Sequence, residues 1–215
     1  MSNTVAENSE YFSRRNATLQ YGFVERDFSS NVRCYMKYYS TYYDSSVGRI
    51  MLGANDKGLV GLWIEGQKYF GDTVDGDFIE TPSLPVFTAA RKWLDAYFAG
   101  QAPSISDLAL APIGGEFRQG VWQILCEIPS GQFLTYGQIA KKMAARLNKK
   151  TMSSQAVGGA VGRNPISIII PCHRVVGSGG SLTGYSGGIS TKIKLLELEG
   201  VDVSQFFVPT KGTAL

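Results

Sequence analysis

The 215-residue chain reads as an α+β protein: a small antiparallel sheet with one helix, then a mostly helical half holding a helix-turn-helix. Three observations predict this. β-branched and aromatic residues separated by turn signals fill 32–65. From Phe117 onward, apolar residues recur at helical spacing. A Pro/Gly/Ser-rich link at 101–115 lies between the two patterns. The expected organisation is a polar extension at 1–31, an N-terminal α/β domain at 32–110, a C-terminal domain at 111–205 and a tail at 206–215.

In the first half, "VRCYMKYYSTYY" (32–43), "GRIMLGAND" (48–56) and "LVGLWIE" (59–65) are predicted strands of a meander, and "NDKG" (55–58) marks a turn. A helix follows Pro85. Phe87, Ala90, Leu94, Tyr97 and Phe98 form its inner stripe, and Gly100 is its natural C′ residue.

In the second half, Phe117, Val121, Ile124, Leu125 and Ile128 mark a helix face that "PSG" at 129–131 stops. Thr135 and Gln138 form a capping box opening a helix with Ile139, Ala140, Met143 and Leu147 inward. After the basic link "LNKKTM", Ser153 or Ser154 can cap "QAVGGAVGR". Gly158 and Gly159 are poor helix formers and suit close approach to a neighbour or ligand. Two helices so joined, the second made of small residues, fit a helix-turn-helix. "ISIIIP" (166–171) is expected to be a short buried strand. "STKIKLLELEG" is expected to be a closing helix, capped at Ser190 or Thr191 and stopped at Gly200.

Composition narrows the function classes. No window approaches the roughly 18 apolar residues of a membrane span, and the first twenty residues do not read as a secretory signal. Three widely spaced cysteines, Cys34, Cys126 and Cys172, argue against a disulfide framework and for a reducing compartment. A structural zinc site needs more closely spaced ligands than these. The net charge of +3 is uneven: residues 116–200 carry ten bases and four acids, the remainder eleven bases and fourteen acids. A half at +6 beside one at −3 suits a polyanionic partner for the basic half, or a solvated charged surface.

The only histidine, His173, directly follows Cys172 in "IPCHRVV" (170–176). A thiolate is the reactive form of cysteine, and a histidine can take the thiol proton if another group orients its far nitrogen. Adjacent side chains on an extended segment point opposite ways, so contact between the two requires a bend or a bridging water. Glu197 and Glu199, on the closing helix, are the candidate orienting carboxylates. The plain alternative is a core thiol beside a hydrogen-bonded core histidine.

The surrounding motifs decide between these readings. "FRQGVWQIL" (117–125), "TYGQIA" (135–140), "AVGGAVGRNP" (156–165), "IPCHRVVG" (170–177), "TGYSGG" (183–188) and "KLLELEG" (194–200) together resemble the O6-alkylguanine-DNA alkyltransferases, the methylated-DNA–protein-cysteine methyltransferases. The first half is similar only in outline. The resemblance implies a ribonuclease H-like N-terminal domain and a winged-helix-like C-terminal one. It implies single-turnover transfer of a methyl or other alkyl group from O6 of guanine, and O4 of thymine, to Cys172. Double-stranded DNA carrying the lesion would be the partner of a monomeric protein, cytoplasmic in a bacterium and nuclear in a eukaryote.

Carried over by residue, the resemblance makes Cys172 the acceptor, His173 its proton relay through a water, and Glu199 the group that orients His173. Asn164 braces the turn presenting Cys172. Tyr136 donates to the purine ring, and the carbonyls of Cys172 and Val175 accept from the guanine amino group. Ser186, after Tyr185, donates towards O6. Gln155, Ala156, Gly158, Gly159 and Arg163 would face DNA from a helix in the minor groove, which is only about 6 Å wide.

The chemistry needs no cofactor and no metal. The zinc site of some relatives' first domain finds no histidine here and at most two cysteines. Gln155 departs from the arginine usual in the family, and the link between the two helices is several residues longer. Both bear on base extrusion, not on the transfer. A rival reading is a non-catalytic module that recognises alkylated bases; relatives of that kind lack the cysteine. A Cys-His hydrolase would need an oxyanion hole, for which the sequence carries no local signature.

Overall fold

The computed structural model describes residues 36–210; the extension 1–31, Cys34 and the last five residues lie outside it. Strands β1 (Tyr38–Ser45), β2 (Gly48–Asn55) and β3 (Gly58–Ile64) form the expected meander. Both hairpins have two-residue loops, closed by the pairs Ser45↔Gly48 and Asn55↔Gly58. Asn55 Oδ1 accepts from Lys57 N at 2.9 Å, the local bond that makes asparagine a turn former. A fourth strand, β4 (Phe78–Glu80), adds in parallel to β1, giving the order β3-β2-β1-β4. It is too short for a sequence period to reveal.

Every residue of β3 is buried because both faces are covered. Trp63 lies across Gly61, where a Cβ would come within 1.8 Å of the indole, and packs against Phe70 and Phe78. On the other face, helix α1 (Pro85–Phe98) buries Phe87, Ala90, Trp93, Leu94 and Tyr97. Gly100 follows it in the left-handed region, as a C′ glycine should.

The free edge of β3 joins the two halves. Leu59 exchanges backbone hydrogen bonds with Ala109 and Ala111, and Leu62 with Pro165 and Ser167, at 2.7–3.0 Å. A sheet edge that would otherwise be left unpaired thus grips the turn that leads to Cys172. One continuous apolar core runs from Ile50 through Leu125 to Leu195.

Helices α2 (Glu116–Cys126), α3 (Tyr136–Arg146) and α4 (Ser154–Gly162) pack on one another. The Thr135–Gln138 capping box is present in full, and Ser153 caps α4 through Ala156 N. The two-residue strands β5 (Leu134–Thr135) and β6 (Val175–Val176) pair in parallel and set the start of α3 beside the Cys-His turn. Helix α5 (Ile189–Leu198) closes the fold, with Gly200 at C′.

Four expectations are corrected. Residues 166–171 are not a strand. Only Ile166 bridges to β3, and the chain then turns tightly, with Ile168 at φ +69°. Side-chain bonds from Asn164 hold that turn, which no periodicity encodes. Leu147 is 43% exposed because α3 ends at Arg146, which takes it off the inner stripe. Helix α5 starts at Ile189 behind Gly188, without a side-chain cap, so neither Ser190 nor Thr191 caps it. The tail expected at 206–215 is tied to the C-terminal domain at its start: Phe206 meets Phe133 edge-on at 4.9 Å, and Phe207 bonds Gly180 and Leu182.

Candidate active site

The site is built on the turn between α4 and Cys172. Asn164 is buried, and its amide makes three kinds of bond. Its Oδ1 accepts from Ile166 N at 3.1 Å. Its Nδ2 donates to Ile170 O at 2.7 Å and to Cys172 Sγ at 3.1 Å. One side chain therefore holds both ends of the turn and touches the sulfur. The left-handed Ile168 is a strained state for a β-branched residue, one that persists only where the surroundings fix it.

Cys172, His173 and Arg174 form a single 3-10 turn, the bend that the pair requires. Even so, neither ring nitrogen of His173 bonds the thiol. Nε2 faces Glu199 Oε1 at 2.7 Å, while Nδ1 is buried without a partner among the described residues. Facing a carboxylate, Nε2 carries the hydrogen, and Nδ1 is left as the acceptor. The bent Cys-His segment thus stands ready for a proton transfer through an intermediary.

Glu199 is the orienting carboxylate; Glu197 lies apart, beside Ser46 and Val47. Arg174 grips Glu199 with Nε on Oε2 at 2.8 Å and Nη2 on Oε1 at 2.9 Å. Tyr97, reaching from α1, donates to Oε1 at 2.8 Å. Burial raises the Glu199 carboxyl, but the bonds from His173 and Arg174 outweigh it and hold it down at about 2. Burial also keeps His173 neutral, against the pull of Glu199. The Cys172 thiol is pushed up by burial, and Asn164 and the Lys192 charge offset this in part.

Lys192 is fully buried, donating to the carbonyls of Val175 and Thr183. Burial brings its ammonium down to about 8, against the favourable charge of a Cys172 thiolate. Arg174, Lys192 and Tyr97 do not figure among the sequence-predicted site residues. Lys192 carried a usable signal: with Leu195, Leu196 and Glu199 it occupies the i, i+3, i+4, i+7 face of α5, where a charge has no solvent.

The remaining predicted residues fall into two groups. Tyr136, at the start of α3, donates to Thr183 O at 3.1 Å, and burial lifts its phenol to about 12. Gly184, at φ +71°, has no room for a Cβ, which would stand 2.7 Å from the Tyr136 oxygen. Tyr185 is buried with its ring edge-on to His173, and Ser186 sits half-buried with its carbonyl accepting from Lys68 N at 3.0 Å. Val175 is fully buried.

The second group lies along α4. Gln155, Ala156 and Gly159 are exposed, Gly158 half so, and a Cβ at Gly159 would meet nothing within 4 Å. Arg163 does not stand free. It pairs with Asp72 at 2.9 Å and covers the Tyr69 ring at 4.4 Å.

This fold and site define a thiol-bearing α+β protein in which one buried, braced cysteine lies behind an exposed helix-turn-helix. Residues 38–112 match the 6-O-methylguanine DNA methyltransferase ribonuclease-like domain, and 116–201 match the DNA-binding domain of the same family. A methylated-DNA–protein-cysteine methyltransferase of Methanosarcina barkeri is 46% identical over 162 residues, 74% of this chain and 96% of that one. One from Haemophilus influenzae is 40% identical, covering 76% and 87%. The crystal structure of Mycobacterium tuberculosis OGT in complex with DNA superposes with a TM-score of 0.64 at 38% identity, over 79% of this chain and 94% of that one. The chain belongs to the 6-O-methylguanine DNA methyltransferase family, the methylated-DNA–protein-cysteine methyltransferases.

Proposed function

We propose that this protein repairs alkylated DNA directly, moving the alkyl group from O6 of guanine to Cys172 in one irreversible turnover. The observation that carries the reading is the braced thiol. Cys172 Sγ is held by Asn164, beside an imidazole whose Nε2 is committed to Glu199 and whose Nδ1 is left to accept.

The steps follow from the residues. A water between Sγ and His173 Nδ1 passes the thiol proton to the imidazole, and Lys192 favours the thiolate. The thiolate attacks the alkyl carbon, an S–C bond forms, and the C–O6 bond breaks. Guanine leaves with the electron pair, and the Tyr136 hydroxyl, turning from Thr183 O, supplies a hydrogen bond to the purine ring. Ser186 serves O6. The carbonyls of Cys172 and Val175 receive the exocyclic amine. A carbonyl has two lone pairs, so Val175 can do this while held by Lys192. The thioether product has no leaving group, so each molecule acts once.

The lesion lies inside the stack and must be flipped out to reach a buried sulfur. Helix α4 supports that step. Its small residues suit the narrow minor groove, and Gln155, exposed on its first turn, enters the space left by the base. DNA binding would weaken steeply with salt, because phosphate neutralisation releases counterions. The non-catalytic alternative is not favoured, because the acceptor cysteine is present.

The direct test is to incubate the protein with duplex DNA containing O6-methylguanine and weigh its peptides. The expected result is one added methylene on the Cys172 peptide, stoichiometric with lesion lost. Lesion loss without that mass, or the mass on the Cys126 peptide, overturns the proposal.

A further inference from the structure

The N-terminal half sends one polar group into the proton relay. Tyr97, near the end of α1, is 2% exposed, and its hydroxyl donates to Glu199 Oε1 at 2.8 Å. The same oxygen receives His173 Nε2 at 2.7 Å, and the tyrosine oxygen lies 3.4 Å from Nε2. The ring is fixed on three sides. It stacks on Trp93 at 5.4 Å and meets Phe98 edge-on at 5.4 Å and the His173 ring edge-on at 6.5 Å. Among the described residues, every group on Glu199 apart from Tyr97 comes from the C-terminal half: His173, Arg174 and the Gly131 amide.

We infer that Tyr97 is a positioning residue for alkyl transfer: its hydroxyl holds Glu199 Oε1 so that His173 keeps its hydrogen on Nε2 and its lone pair on Nδ1. The physical reason is competition for one carboxylate oxygen. A phenol that donates to Oε1 disperses part of the charge that would otherwise draw a second proton onto the imidazole. It therefore keeps His173 a neutral acceptor while fixing its rotation. Among the described residues, the groups facing His173 are Tyr97 from α1, Cys172 and Arg174 from its own turn, Lys192 from α5, Glu199 at the C-terminal end of α5, and Tyr185 from the loop before α5. Among them Tyr97 is the one neutral donor to Glu199, so its removal changes the charge felt by His173 without altering any formal charge. The inference rests on the proposed acceptor role of Cys172 and adds that the first half takes part in the chemistry as well as in packing.

The test is Tyr97→Phe, which keeps the ring and its three aromatic contacts and removes only the oxygen. Because His173 is the only histidine in the chain, imidazole nitrogen NMR reads it without assignment work and without any alkyl donor. In the wild type the neutral ring should be protonated at Nε2. In Tyr97→Phe the titration should move to higher pH, as the undispersed carboxylate favours the cation, and the tautomers should mix. Alkyl transfer to duplex DNA and to free O6-benzylguanine should both slow about tenfold, a part of the roughly 10²–10⁴-fold that a proton relay supplies. The acid limb of the rate profile should follow the NMR midpoint, and DNA affinity should not change. In a Glu199→Gln background, adding Tyr97→Phe should slow transfer no further, since the two groups act through one bond. An unchanged midpoint and tautomer in a folded Tyr97→Phe protein overturns the inference, as does full additivity with Glu199→Gln. Failure of the wild type to alkylate Cys172 would instead sink the proposed function, with the NMR result still standing.

Discussion

The relay and the helix-turn-helix face are built on opposite principles. Around Cys172, 4% exposed, His173, 0%, and Glu199, the polar atoms other than His173 Nδ1 are committed: three donors converge on Glu199 Oε1 and an asparagine brackets the thiol. Along α4, Gln155, Ala156 and Gly159 are exposed, the Gln155 side chain makes no hydrogen bond among the described residues, and Gly159 faces open space. Preorganisation serves one region and not the other. A proton must move over hydrogen-bond distances, so its donors and acceptors are fixed in advance. Under the proposed function a duplex would fit against the other face, which is left bare for a complement that the partner supplies.

The committed region depends most on the thiol. Cys172→Ser should abolish transfer while leaving affinity for alkylated duplex within about twofold, since phosphate contacts position the protein and lie elsewhere. Cys126→Ser should transfer normally. Stoichiometric transfer assays with filter binding read both, and transfer by Cys172→Ser would mean the committed site is not the chemical one.

Alkylation itself strains the fixed region. A carbon added to a buried sulfur in a well-packed turn should lower stability by about 1–3 kcal/mol. The methylated protein should therefore melt lower than the free one, by calorimetry on stoichiometrically reacted material. Equal or higher melting would show the site has slack.

On the open face, Gln155→Ala should slow repair of duplex DNA by about tenfold, part of the few kcal/mol that extrusion costs. It should hardly touch reaction with free O6-benzylguanine, which needs no flipping. Gln155→Arg should tighten duplex binding or speed duplex repair. Equal slowing of both substrates by Gln155→Ala would assign the residue to helix stability.

The smallest expected effect separates the two regions most directly. Gly159→Ala should raise stability by up to about 1 kcal/mol, because alanine is the better helix former and its methyl meets nothing. The same methyl should weaken duplex binding. Denaturant unfolding beside binding titrations would show opposite signs, and a gain in both would mean that this face does not enter the groove.

The three-stranded meander, α1 with its C′ glycine, the capping box that starts α3 and the Cys172–His173 pair were legible in the sequence alone. These are local signals or specific motifs: alternation, a Thr-x-x-Gln pair, a turn tetrapeptide, a Cys-His pair followed by the helix that carries Glu199. The tertiary structure decided what has no period. "ISIIIP" has the composition of a strand, yet one buried asparagine folds it into a strained turn, because Asn164 satisfies backbone groups that a ladder would otherwise take. It also decided that Glu199, not Glu197, faces His173, that Arg163 is held by Asp72 and Tyr69, and that Tyr97 meets His173 and Glu199 although 76 residues of chain separate it from His173. Long-range partners leave no mark in a local pattern, because what selects them is the packing of one half on the other.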